Sequence, residues 1–84
     1  MNVTLKLYAT LSDYLPAEAR RTNEVSLSVT NDATVGALIE QCSLPKKLVH
    51  LVLLNGHFIP PAAREARALS EGDVLAIWPP IAGG

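Results

Sequence analysis

At 84 residues the chain makes one small domain and leaves no room for a second. With 49% hydrophobic and 18% charged residues, the composition excludes a disordered chain and supports a packed core. The formal net charge is −1; Arg20-Arg21 and Lys46-Lys47 are isolated basic pairs that read as solvated surface, so nucleic acid is not an expected partner. A lone cysteine, Cys42, excludes an intrachain disulfide, a CxxC motif and a cysteine-ligated iron–sulfur cluster. The opening MNVTLKLY lacks the basic and apolar regions of a secretory signal, and no apolar run approaches the ~18 residues of a membrane span. The expectation is a cytoplasmic protein with no membrane partner.

In chain order, Val3, Leu5 and Leu7 alternate with Thr4, Lys6 and Tyr8, which predicts a half-buried strand. Residues 9–24 read as a wide connection with a short helical turn near Leu11 to Leu15. Val25, Leu27 and Val29 alternate with Ser26, Ser28 and Thr30 and predict a second strand. Asn31, Asp32 and Thr34 are helix-capping residues. Val35, Leu38, Ile39 and Cys42 then follow at helical spacing, with Cys42 expected in the core. Gly36 weakens that helix, and Pro45 is expected to close it.

Residues 48–54 are apolar apart from His50 and predict a central strand buried on both faces. Asn55-Gly56 reads as a tight hairpin turn, with His57, Phe58 and Ile59 as the return strand. Residues 62–68 read as a helical turn or an irregular crossing, and Leu69 as a core anchor. Glu71, Gly72 and Asp73 form a turn, and residues 74–78 the last strand. The two histidines have no acidic or cysteine partner at metal-ligand spacing and read as surface residues.

The order β-β-α-β-β-β predicts an α+β protein: a β-grasp roll, with a mixed sheet of four to five strands packed on one main helix. A right-handed crossover places the last strand beside the first and parallel to it. The domain is expected to span residues 1–80, followed by a flexible tail over residues 81–84.

That tail is the most informative part of the sequence. Pro79-Pro80 stiffens the exit from the last strand, and Ile81 and Ala82 lead to Gly83-Gly84. Two glycines leave a thin tip that fits a narrow active site and presents its α-carboxylate to chemistry. Gly84 is therefore read as the reactive group. Trp78, one residue before the prolines, is read either as core or as a partner-docking anchor. No catalytic triad, phosphate-binding glycine loop or zinc motif is found elsewhere.

Together, residues 3–11 (VTLKLYATL), residues 34–39, residues 53–56 (LLNG) and residues 71–84 (EGDVLAIWPPIAGG) resemble the ubiquitin-like sulfur-carrier proteins of the MoaD/ThiS type. The double proline before the glycines is most similar to the small subunit of molybdopterin synthase; thiamine-type carriers usually lack it. The resemblance implies that an E1-like adenylating enzyme transfers AMP from ATP, with magnesium, onto Gly84. A persulfide sulfur donor then displaces AMP to leave a thiocarboxylate used in molybdopterin (molybdenum cofactor) biosynthesis. Gly83 keeps the approach narrow, while Ala82, Ile81, Pro80, Pro79 and Trp78 fit and orient the tail, in one case against a large synthase subunit. The chain itself would bind no cofactor or metal and would be a co-substrate rather than an enzyme. A thiamine-type or other-pathway carrier, a protein modifier joined through Gly84 to lysines, and a plain interaction module are the alternatives.

Overall fold

The computed structural model describes residues 1–80. The tail expected over residues 81–84 lies outside the described residues. Five strands form one mixed sheet: β1 (Asn2–Leu7), β2 (Glu24–Ser28), β3 (Leu51–Leu54), β4 (His57–Phe58) and β5 (Val74–Trp78), in spatial order β2-β1-β5-β3-β4. β5 pairs parallel to β1 and antiparallel to β3. The one α-helix, α1 (Val35–Gln41), crosses between β2 and β3. This is the β-grasp arrangement, and the first and last strands meet at its centre as the crossover rule requires.

Alternation in the strands decides which face the core occupies. Leu5, Leu7, Val52, Leu54, Leu75 and Ile77 are essentially inaccessible and meet Val35 and Leu38 of α1. Their opposite-face neighbours Thr4, Lys6, Tyr8, Leu53, Val74 and Trp78 are only half-buried. The expectation that residues 48–54 make a strand buried on both faces is corrected here. Residues Lys46–Leu48 form a 3-10 turn, the strand is only Leu51–Leu54, and Leu51 is exposed. A sheet with its single α-helix on one side has one covered face, so alternate residues of β3 stay open however apolar they are.

The connection between β1 and β2 carries two 3-10 turns, Ala9–Tyr14 and Ala17–Ala19, which bury Leu11, Leu15 and Ala19. The helix begins where capping chemistry predicts: the Thr34 hydroxyl accepts from the Ala37 N–H at 3.1 Å. It ends sooner than Pro45 implied. Ser43, at φ +56°, donates its N–H to the Glu40 carbonyl, and Leu44 donates to the Ile39 carbonyl. That pair of hydrogen bonds closes the helix in a left-handed C-terminal turn at Ser43, two residues ahead of Pro45. Cys42 is consequently the terminal cap residue, half-buried at the rim of the core rather than within it. Burial pushes its thiol up from the ordinary cysteine range.

Residues 62–68 resolve into the 3-10 turn Pro61–Ala63 and an irregular crossing over the start of α1. The carbonyls of Arg67 and Arg64 accept from Val35 and Gly36, both at 2.9 Å, so the crossing satisfies helix N–H groups that would otherwise need water. Gly36 lies directly under this crossing. A side chain there would meet the Glu65 carboxylate, 2.7 Å from where its Cβ would stand.

Candidate functional site at the root of the tail

The last strand is gripped at both ends. At its start, the hairpin turn Asn55-Gly56 has both residues at positive φ, +50° and +84°. The Asn55 amide donates to Asp73 Oδ1 at 2.9 Å and its Oδ1 accepts from the Val74 N–H at 2.9 Å. Asp73 Oδ2 accepts in turn from the Ser70 N–H at 2.7 Å. The two segments LLNG and EGDV, far apart in the chain, are thus the two halves of one clamp.

At its far end β5 delivers Trp78 to the edge of the sheet. The Tyr8 N–H donates to the Ile77 carbonyl at 3.2 Å, and the His50 N–H to the Trp78 carbonyl at 3.1 Å, so neighbours on both sides hold the strand to its last residue. The Tyr8 and Trp78 rings are stacked, with centroids 4.4 Å apart and planes 6° from parallel. Trp78 and Pro79 are half-buried and Pro80 is exposed. The tryptophan is therefore not core: it lies half-buried on the open face, stacked with a tyrosine.

That open face is apolar around the root. Leu51 pairs with Trp78, Leu53 pairs with Ala76 on one side and Phe58 on the other, and these partners share a face. Phe58 is 55% exposed and Leu51 37%. This part of the face is therefore an apolar surface beside the root of the last strand's exit.

Arg64 braces the patch from behind. Its guanidinium donates to the carbonyls of Ile59 (3.3 Å), Val49 (3.3 Å) and His50 (3.1 Å). It therefore fixes the segment whose His50 N–H holds Trp78. Partial burial lowers its pKa, yet an arginine stays cationic at any physiological pH. Sequence reasoning passed over Tyr8, Phe58, Leu51 and Arg64. The first three were readable as the second apolar face of strands already covered once; the role of Arg64 depends on backbone carbonyls that no side-chain pattern announces.

Of the residues expected at the site, Trp78, Pro79 and Pro80 stand together at the end of β5, while Ile81, Ala82, Gly83 and Gly84 lie outside the described residues. His50 and His57 are exposed, and among the described residues no three metal-binding side chains cluster. A cavity of about 400 Å³ lies on the helix side, lined by Gly36, Glu40, Lys46, Arg64 and Glu65 among others, and Trp78, Pro79 and Pro80 take no part in it. No helix of the described residues is long and apolar enough to cross a membrane.

A β-grasp domain with a double-proline exit and an open apolar face defines a ubiquitin-like protein. The sequence matches the ThiS family over residues 14–84, most of the chain and through the glycine pair, and the chain belongs to that family. Among solved structures it is similar to the Haloferax volcanii protein SAMP1, at 26% identity and TM-score 0.70, with both chains fully covered. A second Haloferax volcanii protein, known from its solution structure, shares 27% identity at TM-score 0.78, over all of this chain and 87% of the other. The fold is also that of the complex of subunits 1 and 2 of the molybdopterin-converting factor from Helicobacter pylori, at 21% identity, TM-score 0.60 and full coverage of both chains. No curated protein matches the chain.

Proposed function

We propose that the chain is a sulfur carrier whose Gly84 α-carboxylate is adenylated and converted to a thiocarboxylate, most simply for molybdopterin synthesis. The observation that carries this reading is the match to the ThiS family running through Gly84, joined to a double-proline exit whose root is held on both flanks. The molybdopterin assignment rests on the Pro79-Pro80 pair and draws support from the shared fold of the Helicobacter pylori subunit complex.

The chemistry follows from the group. An α-carboxyl, with an ordinary pKa near 3.5, is ionised at neutral pH and is a poor electrophile. Its oxygen attacks the α-phosphorus of ATP; pyrophosphate leaves and an acyl-adenylate forms on Gly84. The terminal sulfur of a protein persulfide attacks that carbonyl and AMP leaves, giving an acyl disulfide. A second thiol reduces the disulfide, releasing the thiocarboxylate and leaving the donor and the thiol joined as a disulfide. ATP, magnesium, the persulfide and the reducing thiol all belong to partners. The carrier contributes a narrow tip on Gly83 and Gly84, the guiding residues Ala82, Ile81, Pro80 and Pro79, and a face built on Leu51, Leu53, Phe58 and Trp78. That face docks the E1-like activating enzyme, because it is continuous with the root of the tail that enters its pocket.

Intact-mass measurement tests this after incubation with the cognate activating enzyme, ATP and a sulfur source. The expected product gains the mass difference of one oxygen replaced by one sulfur; an unchanged mass would refute the carrier reading. Deleting Gly84 abolishes the gain and leaves the melting temperature unchanged. A second reading, a protein modifier joined through Gly84 to lysines, is favoured by the 26% identity to SAMP1, the small archaeal modifier protein 1 of Haloferax volcanii. Gly-Gly remnants on lysines of other proteins, traced to this chain by a tagged copy, would establish it.

A further inference from the structure

We propose that Tyr8 is a positioning residue for the tail: through its ring stack on Trp78 it sets the direction in which Pro79-Pro80 leave the sheet. The proposal rests on the reading of Gly84 as the reacting group and adds a residue that this reading does not need.

Four observations carry it. Tyr8 follows β1 directly, and its N–H is bound to the Ile77 carbonyl, so its backbone is part of the ladder beside β5. Its ring lies on the indole at 4.4 Å and 6°, an offset-stacked geometry that restricts both rings. The Trp78 carbonyl is held by the His50 N–H, which fixes the peptide plane from which the prolines leave. The two residues that follow are prolines with φ fixed near −65°, so the orientation of Trp78 is passed on to residue 80 with few rotations to blur it. Nearby polar roles do not account for Tyr8: none of the side-chain hydrogen bonds among the described residues uses its hydroxyl.

The consequence is kinetic. Docking of the apolar face brings the tail near the partner's pocket, and a fixed exit direction raises the effective concentration of the terminus there. Losing the stack should therefore slow the step after docking while leaving docking itself largely intact.

The experiment compares wild type with Tyr8→Leu, Tyr8→Phe, Trp78→Leu and the Tyr8→Leu/Trp78→Leu double variant, each shown to be folded by circular dichroism. ATP–pyrophosphate exchange by the cognate activating enzyme gives kcat and KM. The expected result for Tyr8→Leu is a fall in kcat of about five- to tenfold with KM within about twofold, the scale of one lost aromatic pair. Tyr8→Phe keeps the ring and stays within about twofold of wild type, and the double variant is no worse than the poorer single one. A loss confined to KM, an equal loss in Tyr8→Phe, or additive losses would overturn the proposal, since each describes a simple docking contact. Nitrogen-15 relaxation supplies a readout that needs no enzyme: Tyr8→Leu should lower the order parameters of the Trp78 indole and backbone amide, and unchanged values would also overturn it. Should the wild-type chain fail to be adenylated, the reading of Gly84 falls, and the relaxation comparison still decides the stack.

Discussion

Across β3, β4 and β5 the two faces of the sheet are both apolar and do different work. On one, Leu5, Leu7, Val52, Leu54, Leu75 and Ile77 are sealed under the helix. On the other, Leu51, Leu53, Phe58 and Trp78 form an apolar surface with no element over it among the described residues. In this half of the sheet composition does not separate them, and the position of α1 does; over β1 and β2 the open face is polar, with Thr4, Lys6, Glu24 and Ser26. The lesson is that a strand apolar on both faces need not be buried on both. Where only one layer is available to cover it, the second face is left for another molecule.

The sharpest way to break the comparison is Leu75→Ala, on the covered face of the central strand. Truncating a fully buried leucine should destabilise the fold by about 3 kcal/mol in urea unfolding, the range for cavity formation in a tight core. A loss under about 1 kcal/mol would mean that the two faces are not distinct. The matching change on the open face, Phe58→Ala, should weaken capture by the activating enzyme by about 2 kcal/mol in a binding titration and cost less than about 1 kcal/mol of stability. The reverse pattern would make Phe58 part of the core. Asn55→Ala removes two hydrogen bonds from the clamp at the start of β5 and should cost about 1–2 kcal/mol, read as a lower urea midpoint with an unchanged slope. The smallest effect is expected at Gly36→Ala. Its new methyl group meets only the carboxylate of the exposed Glu65, which can swing away, and alanine favours the helix by up to about 1 kcal/mol. Stability should be unchanged or slightly raised, and a loss above about 1 kcal/mol would show that the carboxylate is fixed.

Period-2 alternation placed β1 and β2 and period-3.6 spacing the helix, because alternation at Val3, Leu5 and Leu7 and the stripe at Val35, Leu38 and Ile39 each point to one covered face, whereas β3 and β4 were read from an apolar run and the Asn55-Gly56 turn. What patterning could not show was where an apolar run stops being strand. Residues 48–54 carry no breaker, and the turn at Lys46–Leu48 follows Pro45 and is closed by local bonds from Leu48 to Pro45 and from Val49 to Lys46. Nor could it foresee the helix end at Ser43, since serine in a left-handed turn carries no signal of the kind glycine gives. At the site, Trp78, Pro79 and Pro80 were legible from their place before the glycines. Tyr8 was visible only as an outward position in a strand, and its stack on Trp78 appears only when β1 and β5, separated by most of the chain, are brought side by side.

The central place of β5 has a consequence for the life of the molecule on the ribosome. β1 and β3 are both translated before Val74–Trp78, and the sheet joins them only through β5, which pairs with each. A nascent or truncated chain that stops short of residue 74 is two separate hairpin arms with a gap down the middle and two raw inner edges. Native assembly thus waits for the same stretch of polypeptide that leads to the glycines, so unfinished copies would be expected to fall to proteases before they could compete for a partner.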